Sequence, residues 1–121
     1  MKIFDLEDRL IDFAVLSINI AKQLPNSYEG KHLGSQLIRS GSSTALNYGE
    51  AQSAESRKDF IHKIKIVLKE LRESGVCLKI IRKVKLIKDI SLLEKGIIES
   101  NELISIFVRS YKTAFENLKN E

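Results

Sequence analysis

Proline is nearly missing from this chain: Pro25 is the only one in 121 residues, and glycine occurs six times. Turn formers are too few for a β fold of many short strands, and long helices gain from their scarcity. Cysteine is equally scarce. Cys77 alone excludes an internal disulfide, and its place between Val76 and Leu78 assigns it to the core as a small apolar residue rather than a reactive thiol. A chain that does without disulfides fits a reducing compartment. Long apolar runs are absent as well, and no stretch approaches the ~18 residues of a membrane span. Met1 to Leu10 carries Asp5, Glu7 and Asp8 and has no apolar signal-peptide segment. These absences predict a soluble, cytoplasmic protein.

Charge of one sign is lacking over most of the length. Residues 1–52 hold 5 Lys/Arg against 6 Asp/Glu, a net −1, and residues 91–121 hold 4 against 5, again −1. Residues 53–90 hold 11 against 5, a net +6, so the whole excess of the +4 chain lies in one stretch.

The apolar pattern has the helical period throughout. Four helices are expected, over about 5–24, 29–51, 56–87 and 92–118. The first starts at Asp5, a capping residue, buries Leu6, Leu10, Phe13, Ile20 and Leu24, and ends before Pro25. The second is thin, with Gly34, Ser35, Gly41, Ser42, Ser43 and Ala45. Alone it is a poor helix, so its small side chains point to a neighbour packed close against it. The third follows the capping box Ser56–Asp59 and buries Ile61, Ile64, Leu68, Leu71, Gly75 and Leu78, flanked by Phe60, Val67 and Ile81. The fourth follows a second box, Ser91–Glu94, with Leu93, Ile97, Ile104, Phe107, Val108, Tyr111, Phe115 and Leu118 on its apolar face and a frayed end at Asn117–Glu121. Short connections make successive helices antiparallel neighbours. The expected fold is all-α: a single domain over residues 1–121, an up-down-up-down four-helix bundle.

Two constellations carry functional expectations. Lys58, Lys65, Lys69, Arg72, Lys79 and Lys83 recur at steps of 7, 4, 3, 7 and 4, which aligns them on one side of helix 3. Arg82, Lys85 and Lys88 extend the cluster towards the helix end. Such a line can neutralise phosphates without reading sequence. The plainer reading is a solvated helix face, partly paired with Glu70 and Glu73. No aromatic residue interleaves the line, which argues against stacking on single strands. The second constellation is polar and inward: Arg39, Ser40, Ser43, Asn47 and Glu50 on helix 2 against Lys69, Glu70 and Glu73 on helix 3. Its ordinary role is a hydrogen-bonded network fixing register. Its chemical alternative is a carboxylate site built on Glu50, Glu70 and Glu73.

Catalytic signatures are missing. Ferritin-like carboxylate sites need two Glu-x-x-His pairs. Only Glu29-Gly-Lys-His32 has that spacing, away from the bundle middle, and His62 has no glutamate three residues before it. Phosphate loops, zinc-ligand sets and nucleophile motifs are absent. The expectation is a non-enzyme without metal or cofactor.

The stretch from Leu24 to Ile81 resembles the four helix bundle protein family, also called 23S ribosomal RNA intervening-sequence proteins. Leu24-Pro25 followed by Glu29, Leu33, Gln36 and Leu37 is similar to the family's entry to its second helix. Arg39-Ser40-Gly41-Ser42-Ser43, with Asn47 and Glu50-Ala51, is similar to its RSxxS…N…EA signature. Ser56-Arg57-Lys58-Asp59-Phe60-Ile61 is similar to the start of its third helix, and Lys69-Glu70, Glu73-Ser74 and Leu78 to its LKE..ET..WL segment. Cys77 stands where the family often has tryptophan, and Leu46 lies in a region usually smaller or β-branched. The resemblance covers nearly half the chain. It implies an antiparallel bundle assembled as a homopentameric ring, with no enzymatic activity. Some members are encoded inside ribosomal RNA genes. Related bundles are accessory proteins of diversity-generating retroelements, where a basic pentamer binds nucleic acid and a reverse transcriptase.

Overall fold

Residues 5–121 are described by a computed structural model; residues 1–4 of the expected domain lie outside the described residues. Four helices are present: α1 (Leu6–Lys22), α2 (Tyr28–Gln52), α3 (Arg57–Val84) and α4 (Ser91–Lys119). Each packs on the next and α4 returns to α1, while α1 and α3 stand at opposite corners, as do α2 and α4. This is the antiparallel up-down bundle expected from the pattern.

Local chemistry sets the helix ends. The Asp5 carboxylate accepts from the Asp8 N–H at 3.1 Å, and the Ser56 hydroxyl accepts from the Asp59 N–H at 3.0 Å, so both expected caps are made. Helix α1 stops short of Leu24: Gln23 and Leu24 donate to Ile20 and Ala21, three residues back, tightening the last turn ahead of Pro25. Helix α3 stops at Val84 rather than Ile87, because Lys85 adopts the left-handed region (φ 62°) and turns its N–H to Ile81 and Arg82. The expected Ser91–Glu94 box does not form. Ser91 is the first helical residue, and its N–H and hydroxyl both donate to Asp89. Those bonds, the hydroxyl's first, hold the Asp89 carboxyl below its ordinary range. At the other end α4 continues to Lys119, partway into the stretch expected to fray, and the Glu121 carboxylate accepts from Arg57 Nε at 2.5 Å.

The core is divided. One cluster gathers Leu10, Phe13, Ala51, Ile64, Val67, Leu68, Leu71, Leu103 and Phe107. The other gathers Ile20, Leu37, Cys77, Leu78, Ile81, Ile87, Leu93 and Ile97. Between them all four helices contribute small residues: Ser17, Ser40, Gly41, Thr44, Ser74, Gly75 and Ser100. Every hydroxyl in this waist is satisfied. Ser40 and Ser74 share a hydrogen bond at 2.7 Å across α2 and α3, while Ser17, Thr44 and Ser100 donate to carbonyls of their own helices. The thin α2 does draw a neighbour close, and that neighbour is α1. A Cβ on Gly41 would lie 2.5 Å from the Ser17 hydroxyl oxygen, and one on Gly34 would touch Leu24 and Ala21. Cys77 is buried with its thiol towards the Leu33 carbonyl at 3.5 Å, and burial pushes that thiol up from its usual range. On α4 the apolar face is rotated from the expected one: Leu103 is fully buried and Phe115 is exposed.

Candidate nucleic-acid interface

Because α3 buries Ile61, Ile64, Val67, Leu68, Leu71, Ser74, Leu78 and Ile81, its opposite side is forced outward. Lys58, Lys65, Lys69, Arg72, Lys79 and Lys83 all lie there, exposed. The two gaps of seven in their spacing are filled by exposed His62 and Val76, so the row reads Lys58, His62, Lys65, Lys69, Arg72, Val76, Lys79, Lys83, alternating steps of four and three. Its length from residue 58 to residue 83 is about 38 Å at the α-helical rise of about 1.5 Å per residue. Among the described residues none of the six cations has a carboxylate within 4.0 Å. Arg82 points aside and bonds Glu94 of α4 at 3.0 Å. Lys85 and Lys88, also exposed, belong to the α3–α4 connection rather than to the row, since the helix has ended.

The polar residues expected to form one inner network sort into three groups. Arg39 of α2 donates to Glu70 at 2.9 Å and pairs with Glu73, both on α3; Glu70 is buried while Arg39 is half exposed. Glu50 turns outward to Lys63, 2.6 Å away, and that bond raises the lysine above its ordinary value. Asn47 donates to the Ser43 carbonyl one turn back and joins neither group. Lys69 is on the outer row, not inside. A carboxylate centre from Glu50, Glu70 and Glu73 therefore has no geometry to support it: two different cations, Arg39 and Lys63, hold these groups apart along the α2–α3 seam. Among the described residues no three His, Cys, Asp or Glu side chains gather to hold a metal ion, and no helix is long and apolar enough to cross a membrane.

The pairing of Arg39 with buried Glu70 sets the first expected outcome. Arg39→Ala leaves Glu70 without its cation, but half-exposure of the arginine lets water reach the site. The cost is about 1–2 kcal/mol, well below that of a fully buried pair. A urea midpoint unchanged from wild type would show that water replaces the guanidinium without loss.

One clamp escaped the sequence reading. Arg9 of α1 donates to both oxygens of Glu99, at 2.7 and 2.8 Å, and to Glu102 at 2.8 Å, both on α4. The Glu99 bonds above all raise the guanidinium pKa, so Arg9 stays charged. It joins α1 to α4, the neighbouring pair whose backbones approach each other least.

Fold and surface together define an antiparallel four-helix bundle with a row of exposed cations along α3. The chain belongs to the 23S rRNA-intervening sequence protein family, whose description matches residues 5–106. It is similar to the crystal structure of a protein of unknown function from the S23 ribosomal protein family of Bacteroides thetaiotaomicron. That likeness has a TM-score of 0.81 at 31% identity and covers 89% of this chain and 99% of the other. No curated protein matches this chain.

Proposed function

We propose that this protein is a non-enzymatic, cytoplasmic, homopentameric bundle that binds RNA or DNA through the outward row of α3. The observation that carries the reading is the row itself: six exposed cations in line, none engaged by a carboxylate among the described residues. A solvated face built only for solubility gains from mixed charge; here acidic side chains are kept off the line. Duplex nucleic acid carries about one charge per 1.7 Å of axis, so a row about 38 Å long meets more than one turn of phosphates. Lysine predominates, which suits a point-charge contact with backbone rather than bidentate reading of bases. The family description, tied to 23S rRNA intervening sequences, is consistent with a nucleic-acid context. Five copies, as the family resemblance implies, multiply weak contacts by avidity.

Lys65→Glu with Lys69→Glu should weaken binding of a mixed-sequence duplex about tenfold or more and flatten the slope of log affinity against log salt by about two. Fluorescence anisotropy across a salt series reads both. Affinity and slope equal to wild type would exclude the row as the binding surface. The second reading is a protein-interaction scaffold or accessory subunit, for instance of a reverse transcriptase. It is favoured by the exposed aliphatic residues Val76, Ile80 and Val84 beside the row, and a steep salt dependence with several nucleic acids counts against it.

A further inference from the structure

The lower and upper halves of the α3 row differ in kind. From Lys58 to Arg72 the outward residues are polar. Beyond Arg72, Val76, Ile80 and Val84 form an exposed aliphatic column at steps of four, each between 43% and 57% exposed, flanked by Lys79 and Lys83. Phosphates gain nothing from three valine and isoleucine side chains. A scattered exposed aliphatic needs no explanation, but a column along one helix face marks a contact surface.

The opposite corner of the bundle has the complementary pattern. Helix α1, diagonal to α3, exposes Ile11 and Val15, again four apart, and its outward side carries Glu7, Asp8 and Asp12. None of these three carboxylates has a cation within 4.0 Å among the described residues. Negative charge is concentrated enough there to perturb its members: a hydrogen bond with Asp5 and that residue's charge, together with Asp12 and Glu7, raise the Asp8 carboxyl above its ordinary range. Next to this corner a shallow α1–α4 groove is lined by Leu16 and exposed Ile98, with Asp12, Glu94 and Glu99 around it and Lys95 as the cation among its lining residues.

We infer that the C-terminal half of the α3 row docks on the α1 corner of a second copy of this chain, Val76, Ile80 and Val84 seating against Ile11, Val15 and Ile98 while Lys79 and Lys83 face Asp8 and Asp12. The occupant follows from complementarity in both terms, aliphatic columns of equal spacing and charges of opposite sign, on surfaces that one molecule cannot bring together. The contact joins unlike faces, so it repeats head to tail and closes into a ring where its rotation permits. It deepens the oligomeric part of the proposed function and divides the row's work: Lys79 and Lys83 serve assembly, while Lys58, Lys65, Lys69 and Arg72 remain for phosphates.

The test is sedimentation velocity on the full chain at moderate salt, with helicity checked by circular dichroism. Wild type should run as a multiple of 13.8 kDa. Asp8→Lys/Asp12→Lys and, separately, Lys79→Glu/Lys83→Glu should each fall to the single-chain mass. In an equimolar mixture the intact faces of the two variants meet, and so do their reversed faces, so assembly above the single-chain mass should return with the two variants alternating. Combining all four changes in one chain should restore assembly. A monomeric wild type, or variants that keep the wild-type mass, would overturn the inference. Nucleic-acid binding stands or falls separately, on Lys65 and Lys69: a monomer that still binds duplex overturns only the docking, and an assembled ring that ignores duplex overturns only the phosphate reading.

Discussion

Phe107→Ala should lower unfolding stability by about 3–5 kcal/mol. The ring is fully buried on α4 and stands edge-on to Tyr48 of α2, with centroids 5.5 Å apart and planes at 80°. Around it lie Leu10 and Phe13 from α1 and Leu71 from α3, so one side chain links all four helices. Truncation removes the ring's transfer free energy and leaves a cavity that helices fixed on three sides cannot collapse to fill. The edge-to-face pair with Tyr48 adds about 0.5–1.5 kcal/mol that leucine would not recover. Urea unfolding should show the midpoint falling with the slope unchanged, and the melting temperature should drop by roughly 10–20 °C. Leu93→Ala, in the other cluster across the waist, should add to it within about 0.5 kcal/mol. A loss below 1 kcal/mol for Phe107→Ala would mean that the cluster around Leu10, Phe13 and Leu71 repacks freely.

The elements were legible because helical periodicity and capping are local. Asp5 and Ser56 sit beside the groups they cap, and the buried line of α3 runs through the residues its spacing marks. Ends set by competition were harder to read. At the start of α4, Ser91 has the right partner at Glu94, but Asp89, two residues earlier, takes both of its donors. At the end of α3 no glycine announces the stop, and Lys85 accepts a left-handed conformation that costs a side-chain-bearing residue about 1–2 kcal/mol. On α4 periodicity marks Phe115 and not Leu103, but which residues are covered depends on the neighbouring helices: Leu103 joins the Leu10–Phe13 cluster and Phe115 is exposed.

The row on α3 needed only spacing to be seen, and the structure adds His62 and Val76 as the residues in its gaps. The ion pairs did not yield to the same reasoning. Arg9 and Glu99 are 90 residues apart, and no periodicity within one helix states which residue of another it will face. Glu50 shares a face with Asn47 on α2, yet a charged side chain near a helix end reaches whichever cation borders it, here Lys63. The glutamates of α3 are divided in turn by what opposes them: Glu70 and Glu73 go to Arg39, and among the described residues the outer row has no carboxylate within 4.0 Å. A row whose cations have no carboxylate within reach among the described residues, beside a waist whose hydroxyls are all satisfied, has charge available for a partner.

Gly41→Val should cost about 3 kcal/mol, although valine is the better helix former. A Cβ at position 41 would lie 2.5 Å from the Ser17 hydroxyl oxygen and 2.8 Å from its Cβ. Ser17 is too short to swing aside and is tied to the Phe13 carbonyl at 2.9 Å, so relief requires α1 and α2 to separate at the waist. Separation there would also loosen the Ser40–Ser74 bond beside it. Gly49, further along the same helix, is the internal control. Its Cβ would meet only the Glu7 carboxylate at 4.0 Å, so Gly49→Ala should stabilise by up to about 1 kcal/mol through a less flexible unfolded chain. Opposite signs at two glycines of one helix separate close packing from propensity. Adding Ser17→Gly to Gly41→Val should recover most of the loss, since the clashing atoms are then gone and the coupling between contacting sites is large. Equal effects at Gly41 and Gly49, or no rescue by Ser17→Gly, would show that α1 and α2 are not held together by glycine and serine at the waist.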